Sequence, residues 1–383
     1  MSKGKEKGIK VVCFSEIQWK YVRTRKQQIL SRFPSDWEVL FLSTFVKGKR
    51  NNILPERDGR VMHACVPVFK NFPQKWLKRV FSVPPVRFLW NVMIYLWVNV
   101  LFLLTGFARS DRVFYVSNIY YGAVLGLLPR RLMLYDCNDD HLGFPNTPRW
   151  AEGYFRRVAL NADVVVAVSE RLVEKLEKYG VENIHLIGNG VDYELFSRSA
   201  SEGVPDDVVG LPRPRICYSG AVAPWFDFKL LDAVSERFPD ASVVLLGPVF
   251  EDSRSRLDEL IRKRKNIFHL GAKPYEELGA YLSAMDVCII PLKMNELMRY
   301  ADPNKIYEYA AAGRPIVTLE HSKKRGELEG LVYSAASEKE FLLQLSHALR
   351  HGVDEEKLKA FARRCSWQAR ADAMKEVILR NLS

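Results

Sequence analysis

The chain has no CxxC pair, no internal repeat and no low-complexity segment, and only six of its 383 residues are cysteine. Cys13, Cys65, Cys137, Cys217, Cys288 and Cys365 are scattered, and four of them fall inside apolar, strand-like runs. They read as reduced, buried thiols of a cytosolic protein, which excludes a disulfide framework. A signal peptide is not expected either, because residues 1–10 are charged and lead into only about five apolar residues. Carboxylates are scarce in the first half. Residues 1–198 hold 30 Lys+Arg against 18 Asp+Glu and residues 199–383 hold 27 of each, so the whole excess of +12 lies in the first half. That asymmetry points the first half towards an anionic surface, membrane or nucleic acid. The basic residues are not interleaved with aromatics on one sheet face, so nucleic acid is not the expected partner.

A chain of this length suits two domains, and the Pro-rich stretch 204–214 marks a boundary between them. Strands are expected at 9–14, 37–43, 63–68, 113–116, 131–136, 162–168 and 183–187, with 47–60 as a loop. Helices are expected at 25–32 and 170–179. In an open parallel sheet the loops after the strands carry the ligands. Arg23, Arg25, Lys26 and Gln28 follow the first strand and are candidates for an anionic acceptor. Asp136, Asp139, Asp140 and His141 close a buried strand, where crowded carboxylates include plausible general bases. At least one of them is expected to serve a turn instead.

Residues 88–108 form one 21-residue run without a charge. Its length permits a membrane span. Connectivity argues otherwise, because a span would separate strand 113–116 from the strands before residue 70. The run is expected to be a helix of the first domain, either plain core or dipping one face into a bilayer beside Lys70, Lys75, Lys78, Arg79 and Arg87.

The second half repeats the strand–helix alternation, with strands at 215–218, 243–246, 267–270, 287–290 and 316–318 and helices at 255–263, 275–284 and 338–348. Gly220 and Gly247 end strands, where backbone can approach a ligand. The clearest local signals lie at 299–320. Asp302 reads as an N-cap, Pro303 as the first helical residue, Gly313 as a left-handed stop and Pro315 as a block to continuation. Lys305 and Glu308 share one face of that helix. The N–H groups around Asn304, the Lys305 ammonium and Arg299 upstream suit a diphosphate, and Glu308 suits a ribose. The alternative is an ordinary Lys–Glu pair on a surface helix.

Ordered motifs then carry a resemblance over nearly the whole chain. They are Ile187-Gly-Asn-Gly-Val-Asp192 with Phe196, Asn266 to Gly271 with Pro274-Tyr275, Asp286 to Pro291, Lys305 to Val317, and Cys365-Ser366-Trp367. Together they resemble the GT-B glycosyltransferases of the family-4, group-1 type. The resemblance implies an α/β fold of two Rossmann-like doubly wound domains facing a cleft. Residues 1–203 would bind the acceptor, 204–365 the nucleotide-sugar, and 366–383 would form a helix crossing back.

It further implies that Glu308 binds the ribose, that Arg299 and Lys305 bind the diphosphate, and that Gly220 lets backbone approach the phosphates. The backbone near Leu270 frames the base. Asp139, Asp140 and His141 remain for catalysis, because Asn138 stands where many relatives have histidine. Tyr300 stands where a second glutamate is usual. A metal is not expected, since the second half has no DxD motif in a strand-end loop. The expected activity is sugar transfer from a nucleotide-sugar, with retention, to a lipid-linked or polysaccharide acceptor at the cytoplasmic membrane face. A nucleotide-sugar epimerase and a non-enzymatic basic adaptor at the membrane are the alternatives.

Overall fold

The computed structural model describes residues 8–21, 23–46, 48–68, 79–144, 147–199, 202–320, 328 and 330–382. Two compact units divide the chain, one of Met1–Ile187 with Arg370–Ser383 and one of Gly188–Ala369. The division falls before the expected 203/204 boundary because Val191, Tyr193 and Phe196 are buried in the second unit's core.

The first unit is built on an eight-stranded sheet. Its strands are β1 (Lys10–Ser15), β2 (Glu38–Thr44), β3 (Glu56–Asp58), β4 (Val61–Val66), β5 (Val113–Val116), β6 (Leu132–Cys137), β7 (Val164–Ala167) and β8 (Ile184–Leu186). Their order is β3-β4-β2-β1-β5-β6-β7-β8. Every neighbouring pair is parallel except the β3–β4 hairpin, which the loop expected at 47–60 did not foresee. Helices on both faces explain the apolar run Val11 to Phe14, fully buried in β1. Strands β4 and β5 lie in one sheet on either side of the helix Pro84–Thr105, as the connectivity argument requires. Lys70, Lys75 and Lys78 lie outside the described residues.

The second unit carries β9 (Arg215–Ser219), β10 (Ser242–Leu246), β11 (Ile267–His269), β12 (Val287–Ile290), β13 (Ile316–Leu319) and β14 (Tyr333–Ala335). They form one parallel sheet in the order β11-β10-β9-β12-β13-β14. The order reverses between β9 and β12. In such sheets ligands bind outside the carboxyl ends of the strands at that reversal. Gly220 is the residue that follows β9.

Several motif residues hold the unit together. Val191 N donates to Cys365 O at 3.2 Å, and Trp367 N donates back to Val191 O at 2.9 Å. The Phe196 ring packs edge-on against Tyr275 at 5.4 Å. The Asn266 amide donates to three carbonyls, of Ser235, Phe238 and Ala241, at 3.0–3.2 Å. The final helix, Trp367–Leu382, begins in the second unit and ends in the first.

Candidate nucleotide site

The donor helix spans Asn304–Ala311, and its N-cap is Pro303. Asp302 is therefore not the cap that its position suggested. Its carboxylate is buried and turned elsewhere: Asn189 N donates to Oδ2 at 2.6 Å, and the Tyr307 hydroxyl lies 2.9 Å from both oxygens. The Asn189 amide returns a bond to Asp302 O at 2.7 Å. This cross-link ties the Gly188-Asn189-Gly190 turn to the mouth of the helix. Gly313 ends the helix at φ +68°, as expected of a left-handed stop.

Ile306, Tyr307, Tyr309, Ala310 and Ala311 are buried against the core. The Tyr309 hydroxyl accepts from Ser219 N at 2.8 Å, so the helix is pinned to the end of β9. That leaves Lys305 and Glu308 on the remaining face, each half-buried. Among the described residues neither side chain makes a hydrogen bond or an ion pair, so the ordinary Lys–Glu pair is not formed. Lys305 Nζ sits 5.4 Å from the centre of the Tyr218 ring.

The glycines complete the site. Gly220 has φ +145°, and a β-carbon there would stand 2.3 Å from Lys305 Cε and 2.6 Å from Nζ. A β-carbon on Gly247 would stand 2.2 Å from Gly220 O. Gly247 N in turn donates to Gly271 O at 2.8 Å, and His269 Nε2 lies 2.9 Å from Gly247 O. The ends of β9, β10 and β11 are thus three glycines in contact, with the lysine head against the first. A bare backbone beside a fixed cation is what close approach of a phosphate requires.

Burial pushes the Glu308 carboxyl above the usual carboxylate range, and Lys305 pulls it part of the way back. Burial likewise lowers the Lys305 ammonium, and Glu308 opposes that. Burial also raises the Tyr275 phenol, with the charge of Glu308 adding to it. Two oppositely charged, half-buried groups without a direct pair favour a ligand that meets both.

The other expected donor residues are placed less tightly. Arg299 is exposed in the last turn of the short helix Glu296–Tyr300. Asn304 is the first residue of the donor helix. Leu270 packs against the core and donates its N–H to Leu245 O at 3.0 Å.

In the first unit the structure reassigns several candidates. Arg25 is 3% exposed, and its Nε bonds both oxygens of the fully buried Asp136 at 3.0–3.1 Å. The Tyr115 hydroxyl donates to the same carboxylate. Lys26 is buried in an ion pair with Glu16, which also accepts from Ser117 Oγ at 3.1 Å. Gln28 accepts from Arg32 at 2.6 Å. Arg25 and Lys26 are therefore internal ion-pair partners and are not presented to an acceptor. Only Arg23 stays exposed, lining a concavity of about 340 Å³ with Trp19, Lys20, Tyr21, Gln27 and Asp58. Sequence reading missed Trp19, whose indole donates to Asp58 at 2.9 Å across to the β3–β4 hairpin.

Of the three catalytic candidates, Asp140 is buried in a 2.7 Å ion pair with Lys175 and accepts from Leu142 N at 3.2 Å. Asp140 thus takes the turn role. His141 is buried, its ring 6.1 Å from that of Tyr135. Asp139 is half-buried and accepts from Asp140 N at 3.0 Å.

Comparison with known proteins meets this geometry. A family model described as glycosyl transferases group 1 matches residues 213–351, which contain the three glycines and the donor helix. A second, described as glycosyltransferase family 4, matches 138–195. A Bacillus subtilis protein named as a teichuronic acid biosynthesis glycosyltransferase is 30% identical over 166 residues. That match covers 42% of this chain, and the chain spans 41% of that relative's length.

Solved structures show the fold. Sucrose-phosphate synthase from Thermosynechococcus elongatus matches with TM-score 0.73 at 14% identity, covering 97% of this chain and 98% of that one. An E. coli trehalose-6-phosphate structure bound with UDP-2-fluoro glucose matches with TM-score 0.71 at 11% identity, covering 98% and 99%. Anabaena HepE in complex with UDP matches with TM-score 0.64 at 13% identity, covering 97% and 100%. The chain thus has the GT-B fold of two parallel-sheet units, and two of its segments match the glycosyl transferases group 1 and glycosyltransferase family 4 models.

Proposed function

We propose that the chain transfers a sugar from a nucleotide-sugar, held by the second unit, to a lipid-linked or polysaccharide acceptor at the cytoplasmic face of a membrane. The observation that carries this reading is Lys305, held without an ionic partner among the described residues against the bare backbone of Gly220. Lys305, the first N–H groups of the donor helix and Arg299 receive the diphosphate. Glu308, one turn deeper, receives the ribose hydroxyls, and the backbone at Leu270 borders the base. As the glycosidic bond breaks, negative charge grows on the departing diphosphate. Fixed cations and a helix N-terminus aimed there stabilise the transition state more than the ground state.

The reading needs no metal, and transfer is expected to survive a chelator. Asp139, the most open of the three catalytic candidates, accepts a hydrogen bond from the acceptor hydroxyl. Retention follows from the family resemblance and is read by the anomeric configuration of the product. A polysaccharide acceptor draws on the name of the Bacillus subtilis relative. The membrane placement draws on the basic first half and its apolar helix.

The test is a ligand-induced thermal shift with a panel of nucleoside diphosphates, beginning with UDP, on the wild type and Glu308→Ala. A ligand at a hundredfold excess over its Kd stabilises by about 2.7 kcal/mol. One base is expected to stabilise the wild type and to lose that effect in the variant. If no nucleotide stabilises the wild type, the donor-site assignment fails. Conversion of the donor without any acceptor would replace transfer with epimerisation.

A further inference from the structure

The helix Pro84–Thr105 has one face rooted in the first unit. Ile94, Val98, Leu101 and Phe102 are buried, and the Asn91 amide donates to the Tyr154 hydroxyl at 2.7 Å. Its other face is bare. Phe88, Leu89, Val92, Met93, Leu96, Val100, Leu103 and Leu104 are all exposed, and Leu103 and Phe88 reach 71% and 67%. At 100° per residue these eight positions fall within an arc of about 160°. From Phe88 to Leu104 the face runs about 24 Å along the axis. Asn99 stands at the edge of the arc, and its amide is turned back onto Tyr95 O at 2.8 Å. A contiguous apolar face of this size marks a contact surface.

Charge identifies what the face meets. Between Asp58 and Asp111 the sequence has no carboxylate and seven Lys and Arg: Arg60, Lys70, Lys75, Lys78, Arg79, Arg87 and Arg109. Arg79 and Arg109 are exposed beyond the two ends of the helix. A second copy of the chain would bring Arg79 and Arg109 against like charges at the ends of the contact. An anionic lipid surface complements them, taking the apolar side chains among its acyl chains and the cations among its headgroups. The helix is long and apolar enough to cross a membrane, but its buried face holds it to the sheet, so it lies along the surface.

We propose that the outer face of Pro84–Thr105 docks the first unit onto an anionic bilayer as an interfacial helix. This deepens the membrane placement proposed above and rests on it, without depending on the donor or the transfer chemistry.

The full chain is mixed with vesicles of phosphatidylcholine alone or with phosphatidylglycerol added, and the bound fraction is read by co-sedimentation. Wild type is expected to bind the anionic vesicles at least tenfold more tightly, and Leu96→Glu/Leu103→Glu to lose that binding with an unchanged Tm and nucleotide shift. Should that variant fail to fold, single cysteines carrying an environment-sensitive dye replace it. Leu96→Cys is expected to blue-shift and to be quenched by acyl-chain nitroxides, whereas Leu343→Cys, exposed on the second unit, is not. No vesicle binding, equal binding to both vesicle types, an unshifted Leu96→Cys dye, or a solution dimer abolished by Leu96→Glu overturns the proposal. Vesicle binding without any nucleotide shift leaves the docking face standing and removes the transferase reading.

Discussion

Gly220 and Lys305 occupy one site so closely that a β-carbon on the glycine would stand 2.6 Å from the lysine Nζ. The residues are 85 apart in sequence, and the end of β9 and the donor helix bring them together. Gly220→Ala is expected to act twice. Its φ of +145° is costly for any residue with a β-carbon, about 1–3 kcal/mol. The new methyl also pushes the lysine head off the phosphate position. Stability should fall modestly, and nucleoside diphosphate affinity should fall at least tenfold. A nucleotide titration followed by thermal shift separates the two effects. Unchanged affinity would mean that phosphate does not approach Gly220.

Glu308 should show function opposed to stability. Its carboxyl is held above the ordinary carboxylate pKa, so the folded chain binds that proton more tightly than the unfolded chain. The stability contribution is present at pH below the ordinary carboxylate value and is lost as pH rises through the raised one. At neutral pH the charged group therefore costs stability, and the net upward shift already includes the attraction of Lys305. Glu308→Gln is expected to raise the apo Tm by about 2 °C while weakening nucleotide binding. The gap between variant and wild type should open as pH climbs from the acid side. A variant less stable than wild type at pH 7 would contradict this.

Arg23 and Arg25 are two residues apart and should behave as different kinds of residue. Removing one partner of a buried ion pair costs about 3–5 kcal/mol, and Arg25 is the partner of buried Asp136. Arg25→Ala is expected to lower the unfolding midpoint by about 10 °C. Arg23→Ala should leave the midpoint unchanged and raise the acceptor KM with little change in kcat. Melting curves and acceptor kinetics on both variants decide it.

What could be read in advance was local. Lys305, Glu308, Gly313 and Pro315 define a helix, its charged face and its stop within a dozen residues, and the parallel strands announce themselves as short apolar runs. What escaped depends on distant partners. Arg25 and Lys26 look like exposed basic residues until Asp136 and Glu16 are folded over them. Asp302 has the sequence of a cap, yet its carboxylate is claimed by Asn189, 113 residues upstream. The β3–β4 hairpin did carry a local signal, Gly59 at the first position of its two-residue turn with φ +57°, a glycine that such tight hairpins favour. It was masked by the polar composition around it.

Asp302 then supplies the last test, because its side chain joins the turn at Asn189 to Tyr307 within the donor helix. Asp302→Ala leaves Asn189 N–H and the Tyr307 hydroxyl without that acceptor, and bonds to a charged group are worth about 1.5–3 kcal/mol each. Stability and nucleotide affinity should both fall, since the turn and the helix mouth are released from one another. Tyr307→Phe removes only one of those bonds and keeps the Asn189 link, so it is expected to lose about 1.5–3 kcal/mol with little loss of affinity. Asp302→Asn retains one acceptor oxygen and should fall between the two. If Tyr307→Phe weakens the nucleotide as much as Asp302→Ala does, the helix mouth is held by the tyrosine and not by the turn.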